Sequence, residues 1–450
     1  MSTLVTPSAK SHERVSGRWP GDIEVATRKD WLIYYLKVGV GTPVPWLIFA
    51  FVAMVFLTRA GLELSSWTIA MLTALYICID RLSRPHEFKF FRVGSDFFLI
   101  GYLLTTIATA SSSTTMPEAM ATLGGARWVL LLALFAYAWE LFPGLNRVFM
   151  TLIGAASVAT MYGLVQHFTG WDIIRGVALS SAPVGEHPYF MSSGFFHTPE
   201  VFGTLLAMTL PFPAAAFLFG SLEDKRLNGL ERWGALALTL LIALGIFWTY
   251  HPGLWLAAGA SLVVALLMVT SGRGQLFLIA AVIAFFAVVI PASYHSTDKV
   301  FAEIQKADET RSVHQREQIN TQVKLWQENP VVGVGSRAEV AANYDPGTGN
   351  VYFQILAQEG LVGAMFYLLF ILAFLLSTYR IFQEIPPTHY WHRVLIAGAL
   401  ASQVAFHMSG LYWSTITEAH AMNLFVFLLG SVSYLSEHYG RGLVPDDFAL

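Results

Sequence analysis

The sequence predicts an all-α polytopic membrane protein of about 12 transmembrane helices, with an extracytoplasmic (periplasmic-side) helical cap between spans 9 and 10. Three observations predict it. Hydrophobic residues fill 55% of the 450 positions and charged residues 13%, about half the charge of a soluble domain. Mean hydropathy is +0.54. Apolar runs of about 16 to 22 residues recur from Pro43 to Leu435, near the ~20 residues that cross a bilayer as a helix.

Taken in order, residues 1–30 are polar and mixed in charge, without the apolar core of a signal peptide, and read as a cytoplasmic tail. Residues 31–291 hold spans 1–9, near 43–58, 62–79, 96–112, 128–142, 146–168, 200–220, 231–249, 253–270 and 275–293. The stretch 32–42 reads as an interfacial helix or the foot of the first span. Spans 10–12 fall near 351–379, 392–412 and 417–436, within 351–437, and residues 438–450 form a second cytoplasmic tail. Two outside segments are longer than connections need to be, 169–199 and the cap loop 292–350.

Charge supports that count. Of 27 basic residues, 17 fall on the side shared by both termini and 9 on the other, with Lys37 at an interface. Six of those nine lie in the long cap loop, where the positive-inside bias carries little weight, so short loops compare 17 against 3. A miscounted span would spoil this alternation. Both termini are therefore expected in the cytoplasm. The single Cys78 excludes an internal disulfide.

Within the cap loop, Ile319, Val323 and Trp326 share one helical face, with Glu317 and Lys324 on another and Arg316 at the apolar edge. Pro330 ends that amphipathic helix. It is expected to lie across the outer membrane surface or over the bundle. Gly333-Val334-Gly335 follows. It lacks the lysine of a phosphate-binding loop and reads as a tight turn closing the cap. Asn350 is positioned as the N-cap of span 10.

Ionisable residues within the spans, the usual marker of a transport pathway, are sparse. Glu63 and Glu140 sit near span ends, Glu200 at a span start, and Glu359 inside the tenth, where pairing within the bundle is its expected role. No zinc spacing, nucleotide-binding motif or Ser-His-Asp pattern appears. Polar groups gather instead on the outside, in Gly185–Gly203, Thr249–Gly259 and the loop with Arg311, Arg316, Arg337 and Asn350. Aromatics accompany them, and half or more of these need only an interfacial-belt explanation. The same inventory suits a lipid-linked sugar, with rings stacking on aromatics and cations neutralising a diphosphate.

Two passages carry a resemblance: "REQINTQVKLWQENPVVGVG" (Arg316–Gly335) and "GNVYFQILAQEGLVGAMFYLLF" (Gly349–Phe370). They resemble the O-antigen ligase and O-antigen polymerase family of bacterial inner-membrane glycosyltransferases. There, a helix beginning at an arginine leads to a Pro-x-x-Gly-x-Gly turn and a His-Asn return into the membrane. Weaker echoes are Ser192–Pro213 and Thr249–Leu267, so the resemblance runs from about residue 185 to 377. This chain departs from the pattern in three places. Gly349 precedes Asn350 where the family has histidine, Met191 replaces an arginine before Gly194, and His251-Pro252 replaces a Ser-Arg pair.

The resemblance implies polymerisation or transfer of a polyprenyl-diphosphate-linked glycan at the outer leaflet, in surface or exopolysaccharide biosynthesis, without metal, cofactor or nucleotide sugar. It implies localisation in the bacterial inner membrane and contact with membrane lipids and other polysaccharide synthesis and export proteins, with no nucleic acid. As the base or acceptor-orienting group it leaves His251, His197 and Glu200. As diphosphate or glycan partners it leaves Arg316, Arg337, Arg311, Arg175 and Asn350. Two other readings stay open: a non-catalytic glycan-binding or scaffolding subunit, and a lipid-linked glycan transporter.

Overall fold

A computed structural model describes residues 28–83, 96–111, 116–125, 127–141, 144–178, 190–222, 229–269, 313, 316–335 and 349–440. The expected ninth span, both distal tails, Arg311, Arg337 and much of the cap loop lie outside the described residues.

The described chain is built from helices. In order these are α1 (Arg28–Gly41), α2 (Pro43–Met54), α3 (Arg59–Ser83), α4 (Asp96–Ser111), α5 (Met116–Gly125), α6 (Arg127–Ala138) and α7 (Leu145–Thr169). Then come α8 (Pro199–Thr209), α9 (Pro211–Leu222), α10 (Gly229–Phe247), α11 (Pro252–Val269) and α12, residues 316–328. The last three are α13 (Val351–Glu384), α14 (Tyr390–Ser409) and α15 (Ala419–Gly440). The strands β1 (Trp171–Asp172) and β2 (Val177–Ala178) form a small antiparallel hairpin after α7.

Among the described residues, seven helical segments are long and apolar enough to cross a membrane: Leu32–Met54, Arg59–Asp80, Leu145–Thr169, Pro199–Phe219, Gly229–Phe247, Val351–Glu384 and Ala419–Tyr439. Phe97–Ser111, Arg127–Ala138 and Pro252–Met268 are apolar but shorter. The 32–42 stretch is helical and runs on into the first of these segments. α14 is also a helix where the sequence places one, but His392, Arg393, Ser402, Gln403 and His407 keep it out of this apolar set. It is tolerated because it is enclosed by protein, with most of its side chains buried.

Burial separates inner helices from outer ones. In the spanning windows of α8–α9 and α15, 89% and 94% of residues are buried, against 17% in α10. The α13 residues Leu361, Met365, Leu368, Leu372 and Leu376 form an exposed stripe at helical spacing, the pattern of a lipid-facing surface. Aromatic rings knit the core. Phe51 of α2 lies 5.1 Å from Phe135 of α6 and 5.0 Å from Phe427 of α15.

Segments assigned to one side of the membrane meet each other. At one end, Arg127 pairs with Glu63 at 3.5 Å, the Asn350 amide donates to the Leu411 carbonyl at 3.0 Å, and the Ser192 N–H donates to the Trp248 carbonyl at 3.0 Å. At the other end, Lys37 pairs with Asp80, the Tyr390 hydroxyl donates to the Ala216 carbonyl at 2.6 Å, and His392 meets the Tyr439 hydroxyl at 2.7 Å. The first end is the one the basic-residue count places outside.

The main departure from expectation is in α13. At 34 residues it would be about 51 Å long, well beyond the ~30 Å hydrocarbon core. It is broken at Gly360, whose φ of 66° and ψ of −170° are not helical. The Gly333 turn fills the break. Val334 and Gly335 N–H groups donate to the Ala357 and Gln358 carbonyls, both at 2.9 Å. In return, the Leu361 and Val362 N–H groups donate to the Pro330 and Val331 carbonyls at 2.9 and 3.2 Å. Four backbone groups orphaned by the break are thus satisfied by inserted backbone, the condition for irregular structure at membrane depth.

Candidate functional site

Those of the residues singled out from sequence that are described fall into several settings at the end that the basic-residue count places outside. Asn350 caps α13, its Oδ1 accepting from the Tyr352 and Phe353 N–H groups at 2.9 and 3.3 Å. His251 is buried in the turn between α10 and α11, and its ring meets Tyr412 edge-on at 6.4 Å. The neighbouring Tyr250 adopts a φ of 51°, which tightens that turn. Glu200 is buried in the first turn of α8, while His197 is exposed just before it. Those two elements touch: a Cβ on Gly203 would lie 3.1 Å from Thr249 and 2.4 Å from Leu254.

Arg175 belongs to a different group. It pairs at 3.2 Å with Asp172, which is 1% exposed and also accepts from the Tyr162 hydroxyl at 2.6 Å and the Gln166 amide at 3.2 Å. The Gln166 amide also donates to the Gly194 carbonyl at 2.7 Å. This network fixes the hairpin to α7 and to the loop before α8. Arg316 is exposed at the start of α12.

Residues 410–418, between α14 and α15, join several of these parts. Leu411 receives Asn350, Tyr412 covers His251 and Gly253, and the Trp413 indole donates to Thr204 of α8 at 2.9 Å. Ser414 donates to Gln354 of α13 at 2.6 Å. Glu418 closes the segment. Its burial pushes the carboxyl above the usual carboxylate range, opposed in part by the His420 N–H and by Arg59.

Beside this connection lies a cavity of about 330 Å³. Arg127 and Thr417, both exposed, stand at its mouth; Gln354, Glu359 and Asn423, all buried, lie deeper. Glu359 accepts from the Thr109 hydroxyl at 3.4 Å. Asn423 spends its Nδ2 on the Ala419 carbonyl at 2.8 Å, while its buried Oδ1 has no hydrogen-bond partner. Sequence reasoning noted Glu359 but did not join it to Arg127, and passed over Gln354, Gln358 and Asn423. A signal was present: Asn350, Gln354 and Gln358 recur every fourth residue, one polar face on an otherwise apolar helix. Among the described residues, no group of three His, Cys, Asp or Glu side chains could hold a metal ion.

Fold and site together define a polytopic helical membrane protein that concentrates its polar chemistry at one end of the bundle. Residues 237–368 match the family model described as O-antigen ligase, and this match supports membership of the O-antigen ligase family. The matched segment contains His251, Arg316, the inserted turn, and Asn350 through Glu359. The weaker echo at Ser192–Pro213 lies outside it. No curated protein matches the chain.

Proposed function

We propose that the protein transfers or polymerises a polyprenyl-diphosphate-linked glycan at the outer leaflet of the bacterial inner membrane, in making a surface or secreted polysaccharide. The observation that carries this reading is the run of polar side chains Asn350, Gln354, Gln358 and Glu359. It lies within the segment matching the O-antigen ligase family, and three of its members line the cavity at the outer end. Polar and ionisable groups among membrane spans are costly unless they face a water-filled or substrate-filled space.

In this reading the acceptor's hydroxyl oxygen bonds to the anomeric carbon of the donor. The anomeric carbon–oxygen bond to diphosphate breaks, and its electron pair leaves with the diphosphate. The hydroxyl proton passes to a base, for which His251, with Glu200 on the adjoining element, is the first candidate. Arg316, with Arg311 and Arg337 of the same loop, neutralises the departing diphosphate. Arg175 is paired with Asp172 and holds the hairpin.

The test replaces Arg316 and His251 with alanine, separately and together, and Glu359 with glutamine, then measures cellular polymer at matched protein levels. Loss of polymer by at least tenfold, about 1.4 kcal/mol of barrier, with the protein still folded in the membrane, supports the transferase reading. Normal polymer from all of these variants, with a deletion strain still lacking it, would turn the assignment to a scaffolding or glycan-binding subunit. The three departures from the family motif, at Gly349, Met191 and His251-Pro252, are what keep that second reading in view.

A further inference from the structure

We propose that the cavity between α4, α6, α13 and α15 binds an uncharged sugar unit, the hydroxyl-bearing acceptor end, at a place separate from the donor's diphosphate. The inference rests on the transferase reading above for the word acceptor, but its chemistry is read from the cavity itself.

The volume of about 330 Å³ falls at the lower end of small-molecule sites. Its wall mixes both kinds of surface a sugar ring presents. Tyr102 and Trp128, with ring centroids 5.6 Å apart, supply aromatic surface for C–H faces. Gln354, Gln358 and Asn423 supply carboxamides, which both donate and accept hydrogen bonds as hydroxyls do. The Asn423 Oδ1 is the independent sign of a ligand. It is an acceptor in a residue 6% exposed, on the wall of a cavity, with no partner, and a buried acceptor left unsatisfied costs about 1–3 kcal/mol. A hydroxyl reaching it would remove that cost.

Charge argues against a diphosphate in the same place. Arg127 is the one basic residue of the described lining, and it is already engaged by Glu63 at 3.5 Å. Glu359 contributes a carboxyl group deeper in, and beside the mouth Glu63 engages both Arg127 and Arg59, each at 3.5 Å. A dianionic or trianionic group would meet no unengaged cation among the described lining residues. A neutral polyhydroxylated ring meets neither obstacle.

The experiment uses the full chain purified into lipid nanodiscs, with saturation-transfer NMR as the readout. The probes are methyl glycosides of common hexoses and N-acetylhexosamines, and inorganic pyrophosphate for contrast. At least one glycoside is expected to give a signal that falls roughly fivefold or more in Asn423→Ala and Gln358→Ala, the loss of about one hydrogen bond. Pyrophosphate signals are expected to be unchanged. Thr417→Trp, at the exposed mouth, is expected to close the cavity while giving up only the Thr417 hydroxyl's bonds to Ser414 at 2.9 and 3.1 Å, and covers the case in which a buried variant fails to fold. The proposal is overturned if no glycoside binds, if these variants leave the glycoside signal intact, or if they remove pyrophosphate binding instead. Glycoside binding without glycan transfer in cells would sink the transferase reading alone. Transfer in cells with no binding at this cavity would sink only the cavity.

Discussion

Asn350 shows how much a single side chain organises at the outer end. Its Oδ1 satisfies two N–H groups at the start of α13, and its Nδ2 ties that helix to Leu411. Asn350→Ala is expected to cost about 1 kcal/mol from the cap, read as a lower thermal midpoint in detergent, whereas Asn350→Asp restores the cap but not the tie. Asp172 is a stronger case. Replacing it with alanine leaves Arg175 without its counter-charge, a change that typically costs about 3–5 kcal/mol at a buried pair, and since Arg175 is partly exposed the lower end is expected. Glu418 gives a pH-dependent test. Burial raises its pKa in the fold, so its contribution is fully present below the unfolded value and is lost as pH rises through the folded one. Glu418→Gln is therefore expected to raise the thermal midpoint at pH 8 and leave it unchanged at pH 4. Asn350 was legible in the sequence because capping is a local property. The exposure of His197 and the pairing of Arg175 were not, since both depend on what distant segments bring to them.

At the scale of elements, the inserted turn and the broken helix are one unit. A Cβ on Gly333 would lie 2.3 Å from the Gln358 carbonyl oxygen, and one on Gly360 would lie 2.4 Å from the Val331 carbonyl oxygen. Both residues also hold positive φ, costing about 1–3 kcal/mol for any side chain before the clash is counted. Gly333→Ala and Gly360→Ala are each expected to abolish a monodisperse folded peak in size-exclusion chromatography. Gly234→Ala, at a site with open space around it, is expected to leave it unchanged. The sequence reveals the turn and the helix but not their union. An apolar run whose only glycines are Gly360 and Gly363 reads as continuous, and nothing local marks Gly360 as the place where another backbone enters. The polar face of α13 could have been read from its four-residue period. The 410–418 connection could not, because its first residues continue the apolar pattern of α14.

Across the whole molecule, the helical class and the presence of several apolar helices were readable from hydropathy, while the assignment of the two ends to compartments rests on the basic residues alone. Contacts such as Arg127–Glu63 and His392–Tyr439 agree with the assignment of segments to ends. The direction of the bundle can be measured. Reporter fusions at the C-terminus and at residue 385 are expected to show cytoplasmic activity, and fusions at residue 330 periplasmic activity. The opposite pattern would reverse every site assignment made above. What hydropathy could not reveal was which helices are central, because α8–α9 and α10 are similarly apolar yet differ widely in burial. The break in α13 also bears on how the chain is made. Leu361–Glu384 is about 36 Å long and crosses the membrane unaided, while Val351–Glu359 is too short to do so. The short piece is therefore expected to stay at the membrane surface during insertion, and Gln354, Gln358 and Glu359 to reach the bundle only when the turn docks, which would make the wall of the cavity the last part to be installed.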